Sequence, residues 1–87
     1  MIDFLKKLFD EGRIVAAICH GPWMLVSAGV LQERKATCFY SIKDDIKNAG
    51  AEYLEQPVVR DGNIITSRIP GDLPLFCREI ITALQED

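Results

Sequence analysis

The sequence holds one histidine, one tryptophan and three cysteines in 87 residues. Each scarcity excludes something. One histidine, with cysteines at positions 19, 38 and 77, offers no zinc-ligand spacing and no disulfide framework, so no metal is predicted. Cysteine used in this way suits a reducing, cytoplasmic setting. No glycine-rich phosphate loop is present, and no cofactor is predicted. No apolar run approaches the roughly 20 residues that span a bilayer. Lys6 and Lys7 interrupt the run from Phe4 to Phe9, which excludes a signal-peptide core there. A membrane partner is therefore not expected. Basic residues are not in excess either: 10 Lys and Arg stand against 13 Asp and Glu, for a net charge of −3. Nothing gathers them into a stripe, so nucleic acid is not expected as a partner. Repeats, linkers and low-complexity segments are absent.

What is present is a small globular composition, 48% hydrophobic and 26% charged, which fits one domain. A chain of this size buries only about 60–65% of the surface its unfolded form exposes. Ile2, Leu5, Leu8 and Phe9 have helical spacing over residues 2–11, closed by Gly12. Residues 13–18 read as a buried strand, continuously apolar over Ile14–Ile18; so apolar a strand normally sits mid-sheet, and this sheet offers it too few neighbours. A second helix starts at Gly21 and ends at Gly29. Residues 36–40 read as a short strand. Ser41 is placed to cap a helix carrying Ile42, Ile46 and Ala49, which Gly50 ends. Residues 58–60 and 64–67 flank Asp61-Gly62-Asn63, a hairpin signal. Asp72 is placed to cap a final helix with Pro74 in its first turn. Leu75, Phe76, Ile80, Ile81 and Leu84 are its expected buried face. Strands alternating with helices predict an α/β fold, with parallel strands, helices on both faces and an edge hairpin.

The chemistry concentrates in Ile18-Cys19-His20-Gly21-Pro22. A strand that turns sharply into a helix with a nucleophile at the bend is a nucleophile elbow. The bend exposes the side chain, and the helix N-terminus beneath it favours a thiolate. Cys19 is the expected nucleophile. His20, its neighbour, is the expected base or imidazolium partner. The elbow's oxyanion donor is the backbone N–H of His20, with Gly21 shaping the turn. A third group should orient the histidine. Glu11, Asp44, Asp45, Glu52, Asp61 and Asp72 are all candidates, and spacing selects none of them. Trp23, Phe39, Tyr40 and Ser41 could line a pocket at the carboxyl ends of the strands, with Tyr40 and Ser41 the better placed. Cys38 and Cys77 read as packing.

The stretch Val15-Ala16-Ala17-Ile18-Cys19-His20-Gly21-Pro22 closely resembles the signature of the PfpI/ThiJ family, within the class I glutamine amidotransferase-like superfamily. The likeness continues through Leu25–Leu31, Ile42–Glu52, Val58–Arg68 and Asp72-Leu73-Pro74. It implies the C-terminal half of a flavodoxin-like sandwich, residues 1–87 forming one partial domain. It also implies self-association into dimers or larger assemblies, and activity as an intracellular cysteine peptidase, a glyoxalase or a deglycase acting on a peptide or small carbonyl substrate. The family's nucleophile maps onto Cys19 and its histidine onto His20. Two further glutamates of the family, one contacting the cysteine and one contributed across a subunit interface, lie in the half that this sequence does not contain. Two other readings compete with an enzyme: a non-catalytic oligomerising module, and a redox sensor built on Cys19.

Overall fold

A computed structural model of the chain describes residues 2–86. The side chains of Ile2 and Asp3, placed above on the first helix, lie outside what it describes. Helix α1 (Ile2–Asp10) leads to strand β1 (Val15–Ile18) and helix α2 (Pro22–Ala28). Strand β2 (Lys35–Ala36), a 3-10 turn (Tyr40–Ile42), helix α3 (Lys43–Asn48) and strand β3 (Glu52–Tyr53) follow. The hairpin strands β4 (Val58–Asp61) and β5 (Ile64–Ser67), a second 3-10 turn (Pro70–Asp72) and helix α4 (Leu73–Glu86) complete the chain.

Strand β5 lies at the centre of the main sheet, whose order is β1-β5-β4. It runs parallel to β1, with Val15 opposite Ile64 and Ile18 opposite Ser67, and antiparallel to β4. The hairpin turns through Gly62-Asn63, with a positive φ of 61° at Gly62 alone. That is the type II′ pattern, whose twist matches the flanking strands. All four residues of β5 are buried, and their alternation divides the core. Ile64 faces a cluster with Val15, Leu25, Leu31 and Ile46, on the side of α1, α2 and α3. Ile65 faces Phe76 and Ala83 of α4 on the other side. Helices thus cover both faces, as expected of the flavodoxin-like class.

The shortage of neighbours expected for β1 is seen in the sheet. Strand β1 is an edge strand, paired on one side only among the described residues, and Ala16 is exposed. A run of apolar residues signals burial but not which neighbour supplies it, and the hairpin places β5 in the central position instead.

The strand expected over residues 36–40 is regular only at its start: Lys35 and Ala36 form a ladder parallel to β3, and Tyr40 already lies in the 3-10 turn. The reason lies in where its alternate N–H groups go. The Lys35 N–H donates to Asp61 Oδ2 (2.7 Å), that of Thr37 to Thr66 Oγ1 (2.9 Å), and that of Phe39 to the Cys19 carbonyl (2.8 Å). Side chains and a loop carbonyl replace the partner strand. The segment is therefore stitched across the end of the main sheet, where it meets Cys19.

Four further expectations are corrected. Ser41 does not cap α3: it lies in the 3-10 turn, and α3 starts from Ile42 without a side-chain cap. Asp72 does not cap α4. It is buried in a 3-10 turn, and its carboxylate accepts two hydrogen bonds from the Arg68 guanidinium, at 2.9 and 3.1 Å. That pair holds the Asp72 carboxyl below the usual carboxylate range. On α4, Phe76 and Ala83 are buried, whereas Leu75, Ile81 and Leu84 are exposed. Three strands are too narrow a platform to cover a helix that is apolar on several sides. Cys77, read as packing, is exposed on the same helix, while Cys38 is buried as expected.

Candidate active site

Strand β1 delivers Cys19 to the carboxyl end of the sheet. The Cys19 N–H donates to the Ser67 carbonyl (3.0 Å), extending the β1/β5 ladder by one bond. Its own carbonyl accepts the Phe39 N–H. Held at both ends, Cys19 adopts a φ of +63°, the left-handed region that non-glycine residues rarely enter. Such strain costs about 1–3 kcal/mol and persists only where the surroundings over-determine it. The chain then reverses. The Gly21 N–H donates back to the Ile18 carbonyl (2.9 Å), and buried Pro22 opens α2, where its missing N–H does no harm.

Gly21 is required by the closeness of this reversal. A Cβ there would lie 3.0 Å from the Ile18 carbonyl oxygen and 3.3 Å from the Ala17 Cβ. The first contact is with backbone, which cannot move aside without opening the elbow. Gly21→Ala is expected to cost about 1–3 kcal/mol of stability, read as a lower midpoint in urea unfolding followed by circular dichroism.

Cys19 is half-buried and His20 is exposed. Cys19 Sγ lies 3.6 Å from His20 Nδ1, within reach for sulfur, and His20 Nε2 lies 3.3 Å from Ser41 Oγ. In the tautomer protonated at Nε2, that nitrogen donates to Ser41 and Nδ1 is free to take the thiol proton. The imidazole is also flanked by rings, with centroids 4.8 Å away at Phe39 and 5.8 Å at Trp23. The stitched segment 35–39 therefore does two things at the site. It places Phe39 against the imidazole, and two residues later it sets Ser41 on Nε2.

Of the two elbow N–H groups, that of Gly21 is engaged by Ile18. The His20 N–H has no backbone acceptor among the described residues and is free to donate to a bound group. Helix α2 begins directly after the elbow. It is seven residues long, and the N–H groups of Trp23 and Met24 donate to the His20 and Gly21 carbonyls.

None of the six carboxylates considered for orienting the histidine is bonded to it. Asp45 accepts from the Trp23 indole N–H (2.6 Å), Asp61 from Arg34 and the Lys35 N–H, and Asp72 from Arg68. Glu11 lies 3.9 Å from Arg13, and Asp44 and Glu52 are exposed. The hydroxyl of Ser41 occupies the place where a carboxylate was sought. Its position two residues beyond Phe39, in a run leading to the sheet edge, was the available signal.

The residues expected to line one pocket are dispersed. Trp23 borders a groove of about 770 Å³ between α2 and α3. Tyr40 borders a separate cavity of about 170 Å³ with Cys38, Tyr53 and Arg68. Its hydroxyl accepts a hydrogen bond from Lys43 Nζ (2.9 Å), which holds the Lys43 ammonium above its ordinary pKa. Ser41 alone of the three bonds to His20. Burial, reinforced by the Asp45 carboxylate, pushes the Cys38 thiol up to about 11, so it stays protonated at neutral pH. Among the described residues, no group of three His, Cys, Asp or Glu side chains could hold a metal ion, and no helix is long and apolar enough to cross a membrane.

A sheet with helices on both faces and a strained cysteine at the end of a parallel strand define a flavodoxin-like α/β domain that presents a thiol at an elbow. The sequence profile of the DJ-1/PfpI family matches residues 1–83, and the chain belongs to that family. It is 54% identical over 84 residues to Deglycase TK1284 of Thermococcus kodakarensis, covering 97% of this chain and 51% of the relative. It is 49% identical over 84 residues to Deglycase PfpI of Pyrococcus furiosus, with the same shares covered. A relative in Bacillus subtilis, 41% identical over 83 residues, is named a putative cysteine protease, YraA; 95% of this chain and 49% of that protein are covered. Among solved structures, a two-domain protein from Anabaena variabilis with DJ-1/ThiJ/PfpI-like and ferritin-like domains superposes with a TM-score of 0.95 at 44% identity, covering 97% of this chain and 24% of that one. Drosophila melanogaster DJ-1beta superposes with a TM-score of 0.84 at 36% identity, covering 91% and 42%. The chain spans about half the length of the curated relatives it matches.

Proposed function

We propose that this chain carries the nucleophile and proton shuttle of a cysteine hydrolase of the deglycase or peptidase kind, acting on a small carbonyl compound or a peptide in the cytoplasm. The left-handed Cys19, with His20 Nδ1 3.6 Å from its sulfur, carries this reading. The names of the relatives in Thermococcus, Pyrococcus and Bacillus support it.

The steps follow from the geometry. Nδ1 of His20 takes the thiol proton, and the sulfur adds to the carbonyl carbon. The π pair moves to oxygen, where the His20 N–H stabilises it. With an aldehyde, the imidazolium returns its proton to that oxygen, leaving a thiohemiacetal. With an amide, the proton goes to the departing nitrogen as the C–N bond breaks, and water hydrolyses the thioester. Ser41 holds the imidazole through both transfers. The test is incubation with methylglyoxal, a small ketoaldehyde, followed by a brief pulse of iodoacetamide at neutral pH and peptide mass mapping, which reads the reversible adduct as protection of the thiol from alkylation. Protection confined to the Cys19 peptide is expected. Equal protection of Cys19 and exposed Cys77 would contradict the proposal.

Self-association is the second reading, favoured by the unpaired edge of β1 and by exposed Leu73, Ile81 and Leu84 on α4. Sedimentation at micromolar concentration decides it, and a stable monomer would count against it.

A further inference from the structure

His20 is exposed, and an exposed side chain keeps its rotamers unless something holds it. Phe39 lies on one side and Ser41 on Nε2. The remaining contact is Trp23, itself 48% exposed, a large apolar surface to leave in water. That indole is not free to swing. Its N–H donates to Asp45 Oδ2 at 2.6 Å, across from α2 to α3. A hydrogen bond to a carboxylate is among the stronger ones in proteins. This one ties the ring next to His20 to the helix that directly follows the turn bearing Ser41.

We infer that the Trp23–Asp45 pair positions the His20 imidazole, locking the rotamer that directs Nδ1 at the Cys19 sulfur. The inference rests on the reading of His20 as the proton acceptor. Neither residue touches the reacting atoms; both act through the imidazole. Asp45, one of six carboxylates considered for bonding His20 directly, reaches it one ring removed. An indole resting on a mobile imidazole would leave Nδ1 aimed at the sulfur only part of the time. Misplacement of a catalytic group by an ångström has large effects on rate.

Asp45→Ala removes the acceptor, while Asp45→Asn keeps an amide oxygen that can still accept the indole N–H. Alkylation of Cys19 by iodoacetamide at neutral pH is expected to slow about three- to tenfold in Asp45→Ala, and to return to within about twofold of the parent rate in Asp45→Asn. Trp23 is the only tryptophan, so its fluorescence anisotropy gives a second, separate readout. Local motion of the indole is expected to be restricted in the parent, clearly larger in Asp45→Ala, and close to the parent in Asp45→Asn.

A folded Asp45→Ala with parent alkylation rate and parent indole anisotropy overturns the inference. So does an Asp45→Asn as slow as Asp45→Ala. If parent Cys19 proves no more reactive than an ordinary thiol, the hydrolase reading fails. The indole anisotropy then still reports whether Asp45 holds Trp23 in place.

Discussion

Replacing His20 with glutamine is expected to slow reaction of Cys19 with a carbonyl substrate by about 10²–10⁴-fold at neutral pH, the range a positioned general acid–base group contributes. Glutamine approximates the size of imidazole and keeps polar atoms near Ser41, but it cannot accept a proton from the thiol. The fold should survive, because His20 is exposed and contributes to neither apolar cluster. The elbow should survive too: the Cys19 φ is held by the Ser67 carbonyl and the Phe39 N–H, not by the imidazole. The loss should therefore fall on the rate of the chemical step, with little change in substrate affinity. Stopped-flow measurement of thiohemiacetal formation with methylglyoxal, with circular dichroism as the control for folding, measures it. A variant that reacts as fast as the parent would show that His20 moves no proton.

The largest effect on stability is expected from Ile65→Ala. Ile65 is fully buried on the central strand, between β1 and β4, and faces Phe76 and Ala83 of α4. Truncating a buried isoleucine to alanine costs about 2–5 kcal/mol, the spread reflecting how far the cavity can collapse. Here collapse is resisted, because the strand is fixed on both sides by ladder hydrogen bonds. A chain of this length is stable by about 4–13 kcal/mol at the usual 0.05–0.15 kcal/mol per residue. The substitution thus removes a large fraction of the total. Arg60 clamps the other end of the same layer, with two hydrogen bonds to Glu86 at 2.8 and 2.9 Å and one to Glu79 at 3.5 Å. Those groups are solvated, and exposed ion pairs contribute about 0–1 kcal/mol, so Arg60 cannot make up for the lost side chain. Urea unfolding at constant m-value reads the difference.

Much of this was legible in the sequence because it is local. A cysteine at the end of an apolar run, a glycine two residues later that must approach the strand closely and a proline at the first position of a helix announce an elbow. Gly62 beside Asn63 announces a two-residue hairpin. What escaped depends on partners distant in the chain. The centrality of β5 could not be read from Ile64-Ile65-Thr66-Ser67, whose last two residues are polar; Thr66 and Ser67 are buried because β1 and β4 lie on either side. Strand β3 is only Glu52-Tyr53, too short for any alternation to register. Ser41 has the composition of a helix cap, and the same hydroxyl serves His20 only because Phe39 is stitched to Cys19. The outward face of α4 was misassigned because periodicity shows that a helix is apolar, not how wide the sheet beneath it is.

Competition between two thiols of the same molecule tests the central claim most directly. Cys38 is buried with its thiol pushed up to about 11, so it stays silent at neutral pH, while Cys77 is exposed on α4 and serves as the internal reference. Brief exposure to substoichiometric iodoacetamide at pH 7, followed by peptide mass mapping, counts the label on each. The elbow and His20 predict that Cys19 is labelled well ahead of Cys77 although it is the less exposed of the two, and that His20→Gln removes the advantage. Labelling of Cys77 at or above the level of Cys19 in the parent protein would contradict an activated nucleophile.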